Sequence, residues 1–165
     1  MIFITVGTDS PFNRMIKIID HWAKENNRED IFAQIGDTDW SPSYIKYSKF
    51  LDPAEFAEKL SQADYIVSHA GMGTILTALK WQKPILVFPR RASLGEQRNE
   101  HQLATANKLL SMEKINVAFE ADELKTKLNN LSSLQSKGNI GEYASPSLIS
   151  CIQNFINPSD KSKGK

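Results

Sequence analysis

Apolar residues in this chain fall into two alternating rhythms. Residues 2–6 form an unbroken apolar and β-branched run closed by Gly7, the pattern of a strand buried on both faces. After the loop Gly7-Thr8-Asp9-Ser10-Pro11, apolar positions return at helical spacing (Phe12, Met15, Ile16, Ile19, then Trp22 or Ala23), predicting a helix to about Glu25. Residues 31–35 read as a second strand broken by Gly36-Asp37, and 44–51 as a weaker one. Asp52 and Pro53 mark a helix start, as cap and first helical residue, with Phe56, Leu60 and Ala63 on its inner face. Strand 65–67, loop 68–73, helix 74–81, strand 84–88 and polar loop 89–96 follow. Helix 97–110, extended segment 115–119, helix 121–131, loop 132–141 and a last helix, 146–156, complete the order.

Strands alternating with helices predict an α/β fold: a Rossmann-like, doubly wound, mostly parallel sheet, with ligands beyond the strands' C-terminal ends. Neither an internal repeat nor a linker divides the chain. Residues 1–157 therefore read as one domain, and the polar, lysine-rich 158–165 as a flexible tail.

Composition narrows the class. The 165 residues can bury a core without staples, and 41% hydrophobic with 24% charged residues is ordinary for a soluble fold. The net charge of +1 argues against nucleic acid as partner. A single cysteine, Cys151, excludes an internal disulfide; on its predicted amphipathic helix it is expected to pack. The first residues lack a signal-peptide pattern, and no apolar run approaches the roughly 20 residues of a membrane span. A cytoplasmic location is expected.

Candidate chemistry gathers at three strand ends. Ser68-His69-Ala70-Gly71-Met72-Gly73-Thr74 follows a strand and opens a helix. Its glycines permit a sharp turn and close approach, and free amides of Gly73, Thr74 and Ile75 at a helix N-terminus suit a phosphate, with His69 as a further donor. A purely structural turn is the competing reading. Gly7-Thr8 is a second strand-end glycine loop that would face the same crevice, or simply turn the chain. The third feature runs from Arg90-Arg91 through Glu96-Gln97-Arg98-Asn99-Glu100-His101-Gln102, dense in groups that could meet a sugar; charge alone favours a solvated helix start. His21, His69 and His101 lack metal-ligand spacing, Gly-x-Ser-x-Gly is absent, and Asp37 with Asp39 reads as turn chemistry.

Taken in order, Thr5-Val6-Gly7-Thr8 with Pro11-Phe12, the 68–74 segment, Lys83-Pro84-Ile85-Leu86-Val87-Phe88-Pro89-Arg90 and 96–102 resemble the C-terminal domain of family 28 glycosyltransferases over about residues 1–130. The resemblance is strongest to the family's short stand-alone subunits, of the PssE and EpsF type and of the dolichol-linked N-acetylglucosaminyltransferase. It implies the C-terminal half of a GT-B enzyme that binds a nucleotide-sugar donor, usually a UDP-sugar. Gly7, Thr8, His69, Gly71, Met72, Gly73 and Thr74 would surround the diphosphate, and the backbone at Phe50 and Leu51 would meet the nucleobase. Glu96, Asn99, His101 and Gln102 would contact the donor sugar. Thr77 stands where many relatives carry a ribose-binding glutamate, which puts ribose recognition in doubt.

No metal and no cofactor is implied, since helix dipole and side chains stabilise the leaving diphosphate. One domain cannot hold the acceptor site and the general base as well. The resemblance therefore implies a membrane-anchored partner subunit, peripheral recruitment to the inner membrane face, and inverting transfer of a hexosyl group to a lipid-linked saccharide in capsule or exopolysaccharide synthesis. A non-catalytic nucleotide-binding regulatory or scaffold subunit is the alternative. Apolar surface meant for a partner would let the isolated chain self-associate.

Overall fold

The computed structural model of the chain describes residues 1–137 and 144–156. Six strands, β1 (Ile2–Thr5), β2 (Ile31–Gln34), β3 (Lys46–Ser48), β4 (Tyr65–Ser68), β5 (Ile85–Val87) and β6 (Asn116–Val117), form one sheet in the order β3-β2-β1-β4-β5-β6. Every pairing is parallel, with Ile2 opposite Ile31 on one side and Tyr65 on the other. The helices are α1 (Asn13–Glu25), α2 (Pro53–Gln62), α3 (Met72–Lys80), α4 (His101–Ser111), α5 (Ala121–Asn129) and α6 (Pro146–Ile156).

Strand side chains alternate between faces, and both faces of β1 are covered. Ile2 and Ile4 pack with Met15, Ile16 and Ile19 of α1 and Leu124 and Leu128 of α5. Phe3 packs in the other core with Leu60 of α2, Ile75 and Leu79 of α3 and Ala106 of α4. The sheet is thus doubly wound, as the pattern predicted.

Local chemistry sets several boundaries. Asp52 accepts from the amides of Ala54 and Glu55, both at 2.8 Å, and Glu55 returns a bond to the Asp52 amide, a complete capping box ahead of α2. Asp20 is a buried carboxylate on α1 that holds the 43–45 turn. It accepts from the amides of Ser43, Tyr44 and Ile45 and from the Ser43 hydroxyl at 2.9–3.1 Å. Burial would raise its pKa, but these donors together outweigh it and hold the carboxyl below the usual aspartate value.

Three expectations change. Helix α4 begins at His101 rather than Gln97, because side chains in 96–100 bond preceding backbone instead of joining the helix. The extended segment 115–119 pairs only at Asn116–Val117. Helix α6 buries none of its residues, and Cys151 on it is exposed rather than packed. The predicted tail, 158–165, and residues 138–141 of the predicted loop lie outside the described residues.

Candidate functional site

The sheet order reverses between β1 and β4. The chain leaves β1 for α1 on one face and leaves β4 for α3 on the other, opening a crevice between their C-terminal ends. Two glycine loops meet there. Gly7 turns with φ +76°, its amide donating to Thr5 Oγ1 at 3.1 Å and its carbonyl accepting from Gln34 Nε2 at 3.3 Å. The His69 ring is wedged between the loops. A Cβ at Gly7 would lie 2.7 Å from His69 Cε1, and one at Gly71 only 2.1 Å from Nε2, so the imidazole occupies the room both glycines leave.

Burial, with the neighbouring Arg90 charge adding to it, lowers the His69 pKa to about 4. The ring is therefore neutral at pH 7. Its Nδ1 is buried without a hydrogen-bond partner, and its main-chain amide donates to Thr5 O at 3.3 Å. His69 joins the floor of the site by packing, and it brings no positive charge to a phosphate.

Helix α3 starts two residues earlier than expected, at Met72 with Gly71 as cap. The Ile75 amide already bonds Gly71 O at 3.2 Å, so the expected amide trio of Gly73, Thr74 and Ile75 becomes Met72, Gly73 and Thr74. Beyond its chain neighbours and its own helix backbone, nothing lies within 4 Å of where a Gly73 Cβ would be, so a side chain at that position would face open space.

The loop after β5 is tied to both glycine loops. Gln102, the second residue of α4, is buried, and its Oε1 accepts from the amides of Ala70 at 3.2 Å and Arg90 at 3.1 Å. Two backbone donors facing one side-chain atom require that atom to be the oxygen. Arg90 is only 1% exposed, and one of its terminal nitrogens donates to Val6 O at 2.8 Å and also to Ser10 O. The expectation of a solvated Arg90-Arg91 pair thus fails at Arg90; no periodicity marks that residue, and only its place directly after the buried β5 run hints at burial.

Other expected ligands are engaged within the fold. Glu96 forms a two-bond pair with Arg14 at 2.6 and 2.8 Å and accepts the Arg91 amide at 2.9 Å. Arg14 in turn lies 4.3 Å above the Phe88 ring. The Asn99 side chain accepts from the His101 amide at 3.0 Å, and the Glu100 carboxylate accepts the amides of Ala92 and Ser93. Thr77 Oγ1 donates back to Gly73 O at 2.8 Å within its own helix.

Thr8, Met72 and His101 are exposed at the rim, and so is Phe50, whose carbonyl accepts from Ser48 Oγ at 2.6 Å; Leu51 packs against the α2–α4 core. A polar cleft of about 640 Å³, lined by Asp9, Ser10, Pro11 and residues 95–99, opens between the β1 and β5 loops. Among the described residues, no group of three or more His, Cys, Asp or Glu side chains could hold a metal ion.

A doubly wound parallel sheet with two glycine loops and a helix N-terminus at its switch point defines a Rossmann-like domain of the kind that makes up GT-B glycosyltransferases. The chain belongs to the glycosyltransferase family 28 C-terminal domain, which matches residues 1–140. No curated protein sequence matches it. Among solved structures, the kitacinnamycin glycotransferase is similar with a TM-score of 0.59 at 19% identity, covering 80% of this chain and 34% of that one. MurG of Acinetobacter baumannii gives 0.58 at 18%, over 79% of this chain and 41% of that one. The solution structure of ALG13 gives 0.56 at 14%, over 92% and 93%. The chain therefore spans under half of the first and second of these, and nearly the whole of the third.

Proposed function

We propose that this chain is the donor-binding half of a split, inverting glycosyltransferase. It holds a UDP-sugar while a membrane-anchored partner supplies the acceptor site and the general base. A hexosyl group then passes to a lipid-linked saccharide in capsule or exopolysaccharide synthesis. The observation that carries the reading is the N-terminus of α3 at the sheet's switch point, where the amides of Met72, Gly73 and Thr74 precede the first bonded amide of the helix, Ile75, and Gly73 presents no side chain toward open space.

Family membership supports sugar transfer. Near-complete coverage of ALG13 supports a domain of this size standing alone. The diphosphate sits on the α3 N-terminus beside Gly7 and Thr8, where the helix dipole and fixed N–H groups stabilise the charge that develops on the leaving nucleoside diphosphate. Phe50 and Leu51 border the nucleobase. Exposed His101 is left as the direct sugar contact, while Glu96, Asn99 and Gln102 hold the loop that presents it.

The test is a thermal-shift and calorimetric comparison of wild type with Gly73→Leu. UDP is expected to raise the wild-type melting temperature by mass action, and more than GDP or dTDP does. Gly73→Leu should melt close to wild type, because its side chain enters empty space, yet lose the UDP response. Wild type indifferent to UDP, or a leucine variant binding UDP as tightly, overturns the reading.

A further inference from the structure

Arg90 poses a problem that the family fold does not answer. A buried cation is costly unless something compensates its charge, and among the described residues no carboxylate makes a salt bridge to this one. Its guanidinium is met by the carbonyls of Val6 and Ser10 and by the Phe12 ring, 5.2 Å from the ring centroid, while its Nε is buried with no partner. The charged groups that bear on it, Asp9 and Glu96, act from a distance, and Glu96 is already engaged by Arg14. The same residue's backbone amide is held by Gln102 Oε1, which also holds the Ala70 amide.

Arg90 thus connects the ends of β1, β4 and β5. By pulling the carbonyls of Val6 and Ser10 inward, it fixes the flanks of the Gly7–Thr8 turn, so that the turn's outer side stays toward the crevice. It also leaves a positive charge beneath that crevice, short of a counter-charge.

We propose that Arg90 is a positioning residue for the diphosphate: it anchors the residue 6–10 loop from below, and its buried charge is completed by the phosphates of the bound nucleotide, which it does not touch. The inference rests on the nucleotide-binding reading above. It predicts that Arg90 distinguishes ligands by their phosphates, whereas a merely structural arginine affects every ligand alike.

The experiment measures UDP and uridine affinities by calorimetry for wild type, Arg90→Lys and Arg90→Gln, with melting curves for each. The ratio of the two affinities should fall by about tenfold or more in Arg90→Gln and be partly restored in Arg90→Lys, which keeps the charge but not the fork. A second measurement needs no variant: the Arg90 Nε–H resonance of the wild type, followed by NMR, should shift on adding UDP and stay in place on adding uridine. An unchanged ratio in Arg90→Gln, an equal loss for both ligands, or an Nε–H signal blind to UDP overturns the inference while leaving nucleotide binding intact. Wild type that binds no UDP overturns both.

Discussion

His69 shows how much a single side chain can decide at this site by packing alone. The strand-then-glycine pattern predicted a turn between a strand and a helix, and that turn is there. What the pattern does not contain is that the imidazole fills the space above Gly7, 62 positions earlier in the chain. The two glycines are therefore matched to His69 as much as to any ligand. A buried histidine with pKa near 4 has a defined pH signature. Its unfolded value is near 6.5, so as pH falls the unfolded chain takes up the proton first. Stability should then drop from about pH 6.5 down through pH 4, by roughly 3 kcal/mol from this group. Denaturant titrations across that range should show the drop in wild type, and His69→Asn should flatten it. A wild-type profile rising toward low pH would contradict the buried neutral ring.

At the scale of elements, short-range rules were reliable wherever the deciding partners lie a few positions apart. Asp52, Pro53 and Glu55 are such a case. Replacing Asp52 with Ala should cost about 1 kcal/mol, read as a lowered denaturation midpoint with unchanged denaturant slope. The start of α4 shows the opposite case. Residues 97–100 have ordinary helical chemistry, but Glu96 is held by Arg14, 82 positions away, and Glu100 caps the short 3-10 turn Ala92–Leu94. Those bonds keep the segment irregular and engage the carboxylates of Glu96 and Glu100 within the fold. The α3 start moved for a local reason: Gly71 caps the helix, which shifts the free amides one residue toward the N-terminus.

At the scale of the molecule, helix α6 stands apart from the two cores. Leu148, Ile149, Ile152, Phe155 and Ile156 lie exposed, Phe155 at 86%. The spacing is that of an amphipathic stripe, and its periodicity had suggested a packed helix. Exposed apolar area of this kind promotes association. The isolated chain is expected to self-associate, and the double substitution Ile152→Ser with Phe155→Ser should shift it toward monomer in light scattering at matched concentration. Its melting temperature should hold, since neither side chain supports a core. A wild type that is monomeric at high concentration would sink this expectation.

Sequence alone determined which segments are strands and which are helices, where most begin, and that glycines lie at the ends of β1 and β4. These depend on periodicity, capping and turn residues, all of which act within a few positions. The tertiary structure decided which strand ends are neighbours, and with that the site. Placing β1 beside β4 brings Gly7 against His69, and Arg90 reaches Val6 across 84 positions to become a buried cation rather than a solvated one. Burial and charge compensation depend on what the fold places around a group, and no local pattern carries that information.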